Sequence, residues 1–136
     1  MSTLPENIII DFLQKHIAGV YAVYLYGSFA NGVTTAESDV DLAFLSEAHI
    51  TNVAKWKIQE KLAAALNKDV DLVNLKDASV VLRKEIVEKG QLLYSSDRYK
   101  TESFEMTTLS MYLDLNETRK DILNDYKEKY GRDPSK

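Results

Sequence analysis

One segment of the chain, LYGSFANGVTTAESDVDLAFL from Leu25 to Leu45, constrains the fold more than any other. Both of its ends are apolar, which predicts two strands, and the sequence between them is small, polar and rich in turn residues. Asp39 and Asp41 stand where the second strand opens. Because side chains two residues apart in a strand point to the same side, the segment predicts two carboxylates next to each other.

A pair of carboxylates in an apolar strand needs a counter-charge. Like charges at this distance push one group toward protonation, and apolar neighbours such as Val40 and Leu42 make ionisation more costly. Mg²⁺ relieves the repulsion, since it takes carboxylate oxygens and shares its other positions with substrate phosphates. Asp71, in the next predicted strand, is placed to be a third metal ligand, with the more solvated Asp69 as the alternative.

The turn after the first strand has the features of a phosphate site. Gly27 has no side chain, so the backbone can turn sharply and a phosphate can approach closely. Ser28 adds a hydroxyl and a backbone N–H at the start of a short helix predicted over residues 29–31. Together with the carboxylates, Gly27 and Ser28 predict a nucleoside triphosphate held by two Mg²⁺ ions, one activating an acceptor hydroxyl and one stabilising pyrophosphate.

Two other phosphate or metal motifs are excluded. No Gly-Lys-Ser/Thr follows Gly27, so the segment is not a Walker P-loop. The residues after Asp41 are apolar rather than acidic at the offsets of a calcium loop.

The remaining sequence alternates between helical and strand patterns and predicts a small α/β (α+β) domain, with a mixed sheet of three to four strands and flanking helices. The predicted elements are a helix that begins in a Thr3-Leu4-Pro5-Glu6 capping box and reaches about His16, strands Val20–Tyr26, Asp39–Leu45 and Val70–Leu75, a helix closed by Asn67, a helix Ala78–Lys89 capped by Asp77, an edge strand Gln91–Tyr94, and a long helix capped by Ser96 or Asp97 and reaching about Lys129.

Composition limits the class of protein. The chain has 136 residues, 45% of them hydrophobic, which is sufficient for one domain with a core. It has no cysteine, so thiolate zinc sites are excluded. A net charge of −4 argues against sequence-independent nucleic-acid binding. No signal peptide or bilayer-length apolar run is present, and we expect a cytoplasmic protein without membrane contact.

The spacing of Gly27-Ser28 and Asp39-Val40-Asp41 resembles the signature of the DNA polymerase β-like nucleotidyltransferase superfamily, and the likeness extends through Asp71. Within it, the chain resembles the minimal nucleotidyltransferases (MNT), antitoxins that pair with HEPN toxins. The resemblance implies a nucleotidyltransferase fold, ATP as substrate, triphosphate contacts from Gly27 and Ser28, metal binding by Asp39 and Asp41, and a third, proton-accepting carboxylate at Asp71. It further implies transfer of AMP to a tyrosine of an all-helical HEPN RNase, which silences the toxin.

The loop departs from the family pattern at Phe29 and Asn31, where many relatives carry arginine. Two charge-assisted phosphate contacts are therefore missing locally. We expect a basic residue elsewhere, such as Arg83 or Lys84, to take their place.

The C-terminal segment predicts a docking element. We divide the single domain into a nucleotidyltransferase core, residues 1–96, and a helix over 97–136 that packs on the core and docks a partner in a hetero-oligomer. Its apolar stripe recurs at three- and four-residue steps: Phe104, Thr108, Met111, Leu115, Thr118, Ile122 and Tyr126. The first half is expected to pack on the domain's own sheet and the second half to extend beyond it.

Two alternatives to a protein-modifying enzyme remain. One is an antitoxin that neutralises its toxin by binding alone, and the other is transfer to a small hydroxylated molecule such as an aminoglycoside. The three clustered carboxylates disfavour the first, because unused buried charges are costly to keep together. The absence of an evident acceptor domain disfavours the second.

Overall fold

A computed structural model describes residues 5–27 and 39–130, with side chains described as far as residue 115. The elements are α1 (Glu6–His16), β1 (Val20–Tyr26), β2 (Val40–Ser46), α2 (Asn52–Leu66), β3 (Val70–Asn74), α3 (Val80–Lys89), β4 (Gln91–Ser95) and α4 (Arg98–Tyr130). The predicted order of helices and strands is confirmed.

The four strands form one mixed sheet in the order β3-β2-β1-β4. Strand β1 pairs antiparallel with both β2 and β4, and β2 pairs parallel with β3. The end of β1 and the beginnings of β2 and β3 therefore meet at the same end of the sheet. This confirms the predicted α/β class.

Two helical layers cover the two faces of the sheet. One apolar cluster joins β-strand residues such as Val23 and Leu42 to Ile9 of α1 and Leu62 of α2. A second cluster joins Ala22, Tyr24 and Ala43 to Ile86 of α3, with Phe104 of α4 packed against it. Because side chains alternate along a strand, Tyr26, Asp41 and Asp71 share the face that carries α3 and α4.

Local hydrogen bonds correct some predicted boundaries. Helix α3 begins after Ser79, whose Oγ accepts the Leu82 N–H at 3.2 Å, and not after Asp77. Asp77 and Ala78 form the turn that leaves β3, where their N–H groups bond to the carbonyls of Asn74 and Leu75. Strand β2 begins at Val40, so Asp39 lies just before it.

Other predicted boundaries hold. Asn67 ends α2 in the left-handed conformation, with φ at 54°. Asp97 caps α4, since its Oδ1 accepts the Lys100 N–H at 3.1 Å. The predicted Thr3 cap and the short helix over residues 29–31 lie outside the described residues.

Helix α4 is long relative to its domain, since its 33 residues span about 50 Å at 1.5 Å per residue. Its first part is anchored on the core: Thr101 and Thr108 are buried, and the Tyr24 hydroxyl donates a hydrogen bond to Glu105 at 2.7 Å. Within the described residues, no helix has the length and apolar character required to cross a membrane.

Candidate active site

Three polar side chains occupy one row across the sheet. Tyr26 of β1 is the register partner of Asp41 in β2, and Asp41 is the register partner of Asp71 in β3. Side chains at directly paired positions lie on the same face, with Cβ atoms about 5 Å apart. The structure therefore brings Asp41 and Asp71 together, as the sequence predicted, and Asp39 flanks them as an exposed residue immediately before β2.

The charges of the three aspartates act on one another. Burial raises the pKa of Asp41 above its usual value, and the negative charges of Asp71 and Asp39 raise the pKa further. The desolvated Asp41 carboxylate thus lies close to two other negative charges. A bound cation would relieve both causes of the shift, because it would neutralise the repulsion and ligate the desolvated carboxylate.

Tyr26 is a site residue that sequence reasoning missed. Burial raises the pKa of its hydroxyl, and the nearby charges of Asp71 and Asp41 raise that pKa further. In the sequence Tyr26 is one of several apolar or aromatic strand residues. The only available signal was its position directly before Gly27, and its place beside the carboxylates depends on a strand register that the sequence does not specify.

Gly27 is required by the geometry of Asp41. Its φ is +73°, a left-handed conformation that glycine adopts without strain, and a Cβ at this position would lie 2.2 Å from Oδ2 of Asp41. The sequence predicted a close approach of phosphate to this glycine. Among the described residues, the group that approaches it is the Asp41 carboxylate, so Gly27 helps to seat that side chain. Ser28, the other predicted phosphate ligand, lies outside the described residues.

The donor set fits a magnesium ion, although the carboxylates do not form a closed cage. Across residues 5–27 and 39–130, no group of three or more acidic or histidine side chains converges closely enough to hold a metal. Mg²⁺ usually takes only one or two carboxylates and completes its octahedron with water and substrate phosphates. The paired carboxylates of Asp41 and Asp71 meet that requirement.

The two residues expected to replace the loop arginines have other partners. Arg83 donates to the carbonyl of Lys76 and lies 5.7 Å from the Phe104 ring centroid. Asp71 is near the start of β3, whereas Lys76 comes after its end. The hydrogen bond to Lys76 therefore holds the Arg83 side chain away from the carboxylates. Lys84 forms an ion pair with Glu88 at 2.7 Å. Both side chains therefore have partners within the domain, and their contact with the triphosphate stays a prediction.

Comparisons with known proteins show the family of the chain. Residues 7–99 match the family model described as polymerase beta, nucleotidyltransferase. A curated relative, the protein adenylyltransferase MntA of Shewanella oneidensis, is 39% identical over 125 residues, which are 92% of this chain and 89% of the relative.

Solved structures extend the likeness to nearly the whole chain. A toxin–antitoxin complex with AMP-PNP contains a chain that is 39% identical, with a TM-score of 0.82, and the match covers 90% of this chain and 98% of that one. A complex of tri-AMPylated Shewanella oneidensis HEPN toxin with MNT antitoxin matches at 37% identity and a TM-score of 0.75, covering 89% of this chain and 94% of the other. The chain therefore belongs to the polymerase β nucleotidyltransferase family, in the minimal nucleotidyltransferase group that contains these antitoxins.

Proposed function

We propose that the chain is an antitoxin that transfers AMP from ATP to a tyrosine of a cognate HEPN toxin and thereby neutralises it in the cytoplasm. The observation that carries the proposal is the Asp41–Asp71 pair, seated against Gly27 in a domain of this family. The solved complexes support the substrate and the acceptor, since one relative was crystallised with AMP-PNP and another with a tri-AMPylated HEPN toxin.

Asp39, Asp41 and Asp71 are the proposed metal ligands, and two Mg²⁺ ions fit the chemistry. When bound, these ions supply positive charge that lowers the pKa of the acceptor hydroxyl and stabilises the pyrophosphate leaving group. The raised pKa of Asp41 supports this assignment, because burial and the neighbouring charges of Asp71 and Asp39 both disfavour the ionised carboxylate without a counter-charge.

The chain's own groups then perform the remaining tasks. The backbone of Gly27 and the Ser28 hydroxyl and N–H receive the triphosphate. Asp71 accepts the proton of the toxin tyrosine. The tyrosine oxygen bonds to the α-phosphorus, the bond from that phosphorus to the bridging oxygen breaks, and pyrophosphate leaves.

We assign partner docking to residues 97–136, beside a catalytic core over residues 1–96. In α4, Tyr99, Met106 and Leu113 are 81%, 71% and 62% exposed, so apolar area remains outside the domain's own core. Apolar side chains on an exposed helix face are typical of helix-to-helix recognition. A HEPN toxin bound there would form a hetero-oligomer. Neither direct nucleic-acid binding nor membrane contact is part of the proposed function.

The decisive experiment mixes the purified chain, its cognate HEPN toxin and ATP, and follows the toxin by intact-mass spectrometry. We expect one or more AMP additions that require Mg²⁺ and disappear with Asp41→Asn. Toxin inhibition that persists in Asp41→Asn without any mass change would instead support neutralisation by binding alone.

Docking is tested by Leu113→Glu, with Val53→Glu as the matched control. Both substitutions place a charge at an exposed apolar position, but Val53, 64% exposed, lies on α2 at the opposite face of the sheet. Leu113→Glu should reduce toxin modification at least about tenfold while calorimetric ATP binding is unchanged. Equal modification rates in the two variants would argue against α4 as the docking element.

A further inference from the structure

Helix α4 carries two stripes of side chains on different faces. The inner stripe recurs at steps of three and four residues and consists of Thr101, Phe104, Thr108 and Tyr112, all buried or half-buried. Phe104 packs against the apolar cluster beneath α3, and the Tyr112 ring centroid lies 4.9 Å from Lys84 Nζ of α3. The inner stripe therefore fixes α4 to its own domain.

The outer stripe of α4 has a different period. Tyr99, Met106 and Leu113 are exposed and follow one another at intervals of seven residues, with the exposed Leu109 between the last two. Seven residues bring a helix to within about 20° of two full turns, so these side chains form one nearly straight row. An apolar row with this period is typical of a helix that packs against a second helix.

A cleft between the edge of the sheet and α4 borders the outer stripe. Leu92 and Ser95 of β4 line one side of it and Thr101 of α4 lines the other, around a cavity of about 370 Å³. Leu92 is the register partner of Tyr24, so it lies on the face of the sheet that α4 covers. A second cavity of about 550 Å³ continues along α4 beside Met106. We call the two cavities together the α4 groove.

Two carboxylates stand where the cavities of the α4 groove meet, since Glu102 and Glu105 each line both. Glu102 forms an ion pair with Arg98 at 2.9 Å. Glu105 is half-buried, and its Oε1 accepts the hydroxyl of Tyr24 at 2.7 Å. Among the side chains that the structure describes, no lysine or arginine pairs with Glu105. Because a carboxylate can accept several bonds, Glu105 is held in place and can still receive a cation.

We propose that the α4 groove receives one amphipathic helix of the HEPN toxin, whose apolar side chains pack along Met106 and Leu109 and whose lysine or arginine pairs with Glu105. The seven-residue period favours a helix as the occupant, and the unpaired carboxylate favours a basic one, since charge-assisted hydrogen bonds are the strong ones. Strand β4 is short and its register shifts between Val23 and Tyr24 of β1, so it is a poor template for an added strand. The inference rests on the proposed function and specifies the docking assigned above to α4.

Glu105→Gln tests the charge, with Glu60→Gln as the matched control. Both remove one negative charge, but Glu60 is exposed on α2, at the opposite face of the sheet. Glu105→Gln keeps a side-chain oxygen that can accept the Tyr24 hydroxyl. In calorimetry with the unmodified cognate toxin and no ATP, Glu105→Gln should weaken binding at least about tenfold and Glu60→Gln less than about twofold. Equal affinities in the two variants would overturn the pairing of Glu105 with a toxin cation.

Ionic strength gives a second readout of the same pair. Wild-type affinity for the toxin should fall as salt rises from about 50 to about 500 mM, because salt screens charges that solvent can reach. Glu105→Gln should lose part of this dependence, and Glu60→Gln should retain it. An unchanged salt dependence in Glu105→Gln would also overturn the pairing.

Met106→Glu tests the apolar row, with Ile8→Glu as the control. Both residues are exposed, but Ile8 lies on α1, at the opposite face of the sheet. Met106→Glu should weaken toxin binding at least about tenfold, while Ile8→Glu stays within about twofold of wild type. Sedimentation of the chain alone checks the other occupant. A dimer that Met106→Glu dissociates would assign the groove to a second copy of this chain and overturn the proposal.

Asp41→Asn separates this inference from the proposed function. It should abolish toxin modification and keep wild-type affinity for the toxin, because Asp41 does not line the α4 groove. Toxin bound and modified at wild-type levels by both Glu105→Gln and Met106→Glu would overturn only the groove. A wild-type chain that neither binds nor modifies the toxin would overturn the proposed function as well.

Discussion

Substitution of Gly27 by alanine tests how the Asp41 carboxylate is seated. Alanine at φ +73° costs about 1–2 kcal/mol as a left-handed residue. Its Cβ would also lie 2.2 Å from Oδ2 of Asp41, so the carboxylate must rotate away, at a further cost of about 1–3 kcal/mol for overpacking. The free energy of unfolding should therefore fall by about 2–5 kcal/mol.

The melting temperature gives the measure of this loss. For a chain of 136 residues, an unfolding entropy of about 2.1 cal/mol/K per residue converts 1 kcal/mol to about 3.5 °C, so the expected shift is about 7–17 °C. Toxin modification should be nearly abolished, because Asp41 leaves the row that it shares with Asp71.

Gly19→Ala is the control for backbone strain. Gly19 has φ +69°, but its added Cβ would come no closer than 3.3 Å to any atom, the nearest being Glu47 Cβ at 3.3 Å and the Ala48 N at 3.4 Å. It should lose only the left-handed cost, about 4–7 °C, and keep its activity.

The clash itself is isolated by placing Gly27→Ala in an Asp41→Ala background. There the nearest remaining atom is the residue 41 Cβ at 3.4 Å, an ordinary contact. The part of the melting-temperature loss that exceeds the left-handed cost should disappear. In this background, Gly27→Ala should lower the melting temperature no more than Gly19→Ala does. An extra loss of the same size in both backgrounds, or wild-type activity in Gly27→Ala, would refute the argument that Gly27 seats Asp41.

The remaining predictions concern the charge of Asp41 and the edge of the sheet. In chelator at pH 7, Asp41→Asn should melt at or above the wild-type temperature, because it removes a desolvated and repelled charge. Because the pKa of Asp41 is raised in the folded state, folding favours its protonated form. The stability that wild type loses by ionising this carboxylate should therefore be recovered as pH falls from the folded-state pKa toward the ordinary value of 3.8. The melting difference between wild type and Asp41→Asn should narrow over the same interval, and a constant difference would contradict the assignment. Gln59→Ala should lower the free energy of unfolding by about 1–3 kcal/mol in chemical denaturation, because it leaves the Leu72 N–H without its partner. Gln14→Ala, which loses an exposed bond to Tyr94, should cost less, and equal losses would refute this reasoning.

The sequence was informative wherever local pattern determines structure. The β-branched and aromatic run over β1 and the apolar run after Asp41 allow few alternatives to strands. Asn67 and Gly90 follow the last helical residues of α2 and α3, as predicted. The start of α3 was wrong because Asp77 and Ser79 are both good cap residues, and only the turn hydrogen bonds leaving β3 distinguish them.

Relations between distant residues were harder to predict. The proximity of Asp41 and Asp71 could be inferred from two apolar strands that each carry an aspartate. The place of Tyr26 beside them could not, since it requires the register of three strands. The partners of Arg83 and Lys84, which include the Lys76 carbonyl and Glu88, could not be predicted for a similar reason, since they depend on how α3 is placed.

Sheet topology explains why chemistry and proposed docking lie on one side of the domain. The antiparallel β1–β2 pair and the parallel β2–β3 pair bring the end of β1 next to the starts of β2 and β3. Strand alternation then places Tyr26, Asp41 and Asp71 on the face that α4 covers. Tyr24, two residues before Tyr26, anchors α4 to that face through Glu105. A toxin bound along the exposed residues of α4 would thus approach from the side on which the carboxylates are presented. Strand β1 would then serve both proposed roles, since it ends beside Asp41 and also holds α4 through Tyr24.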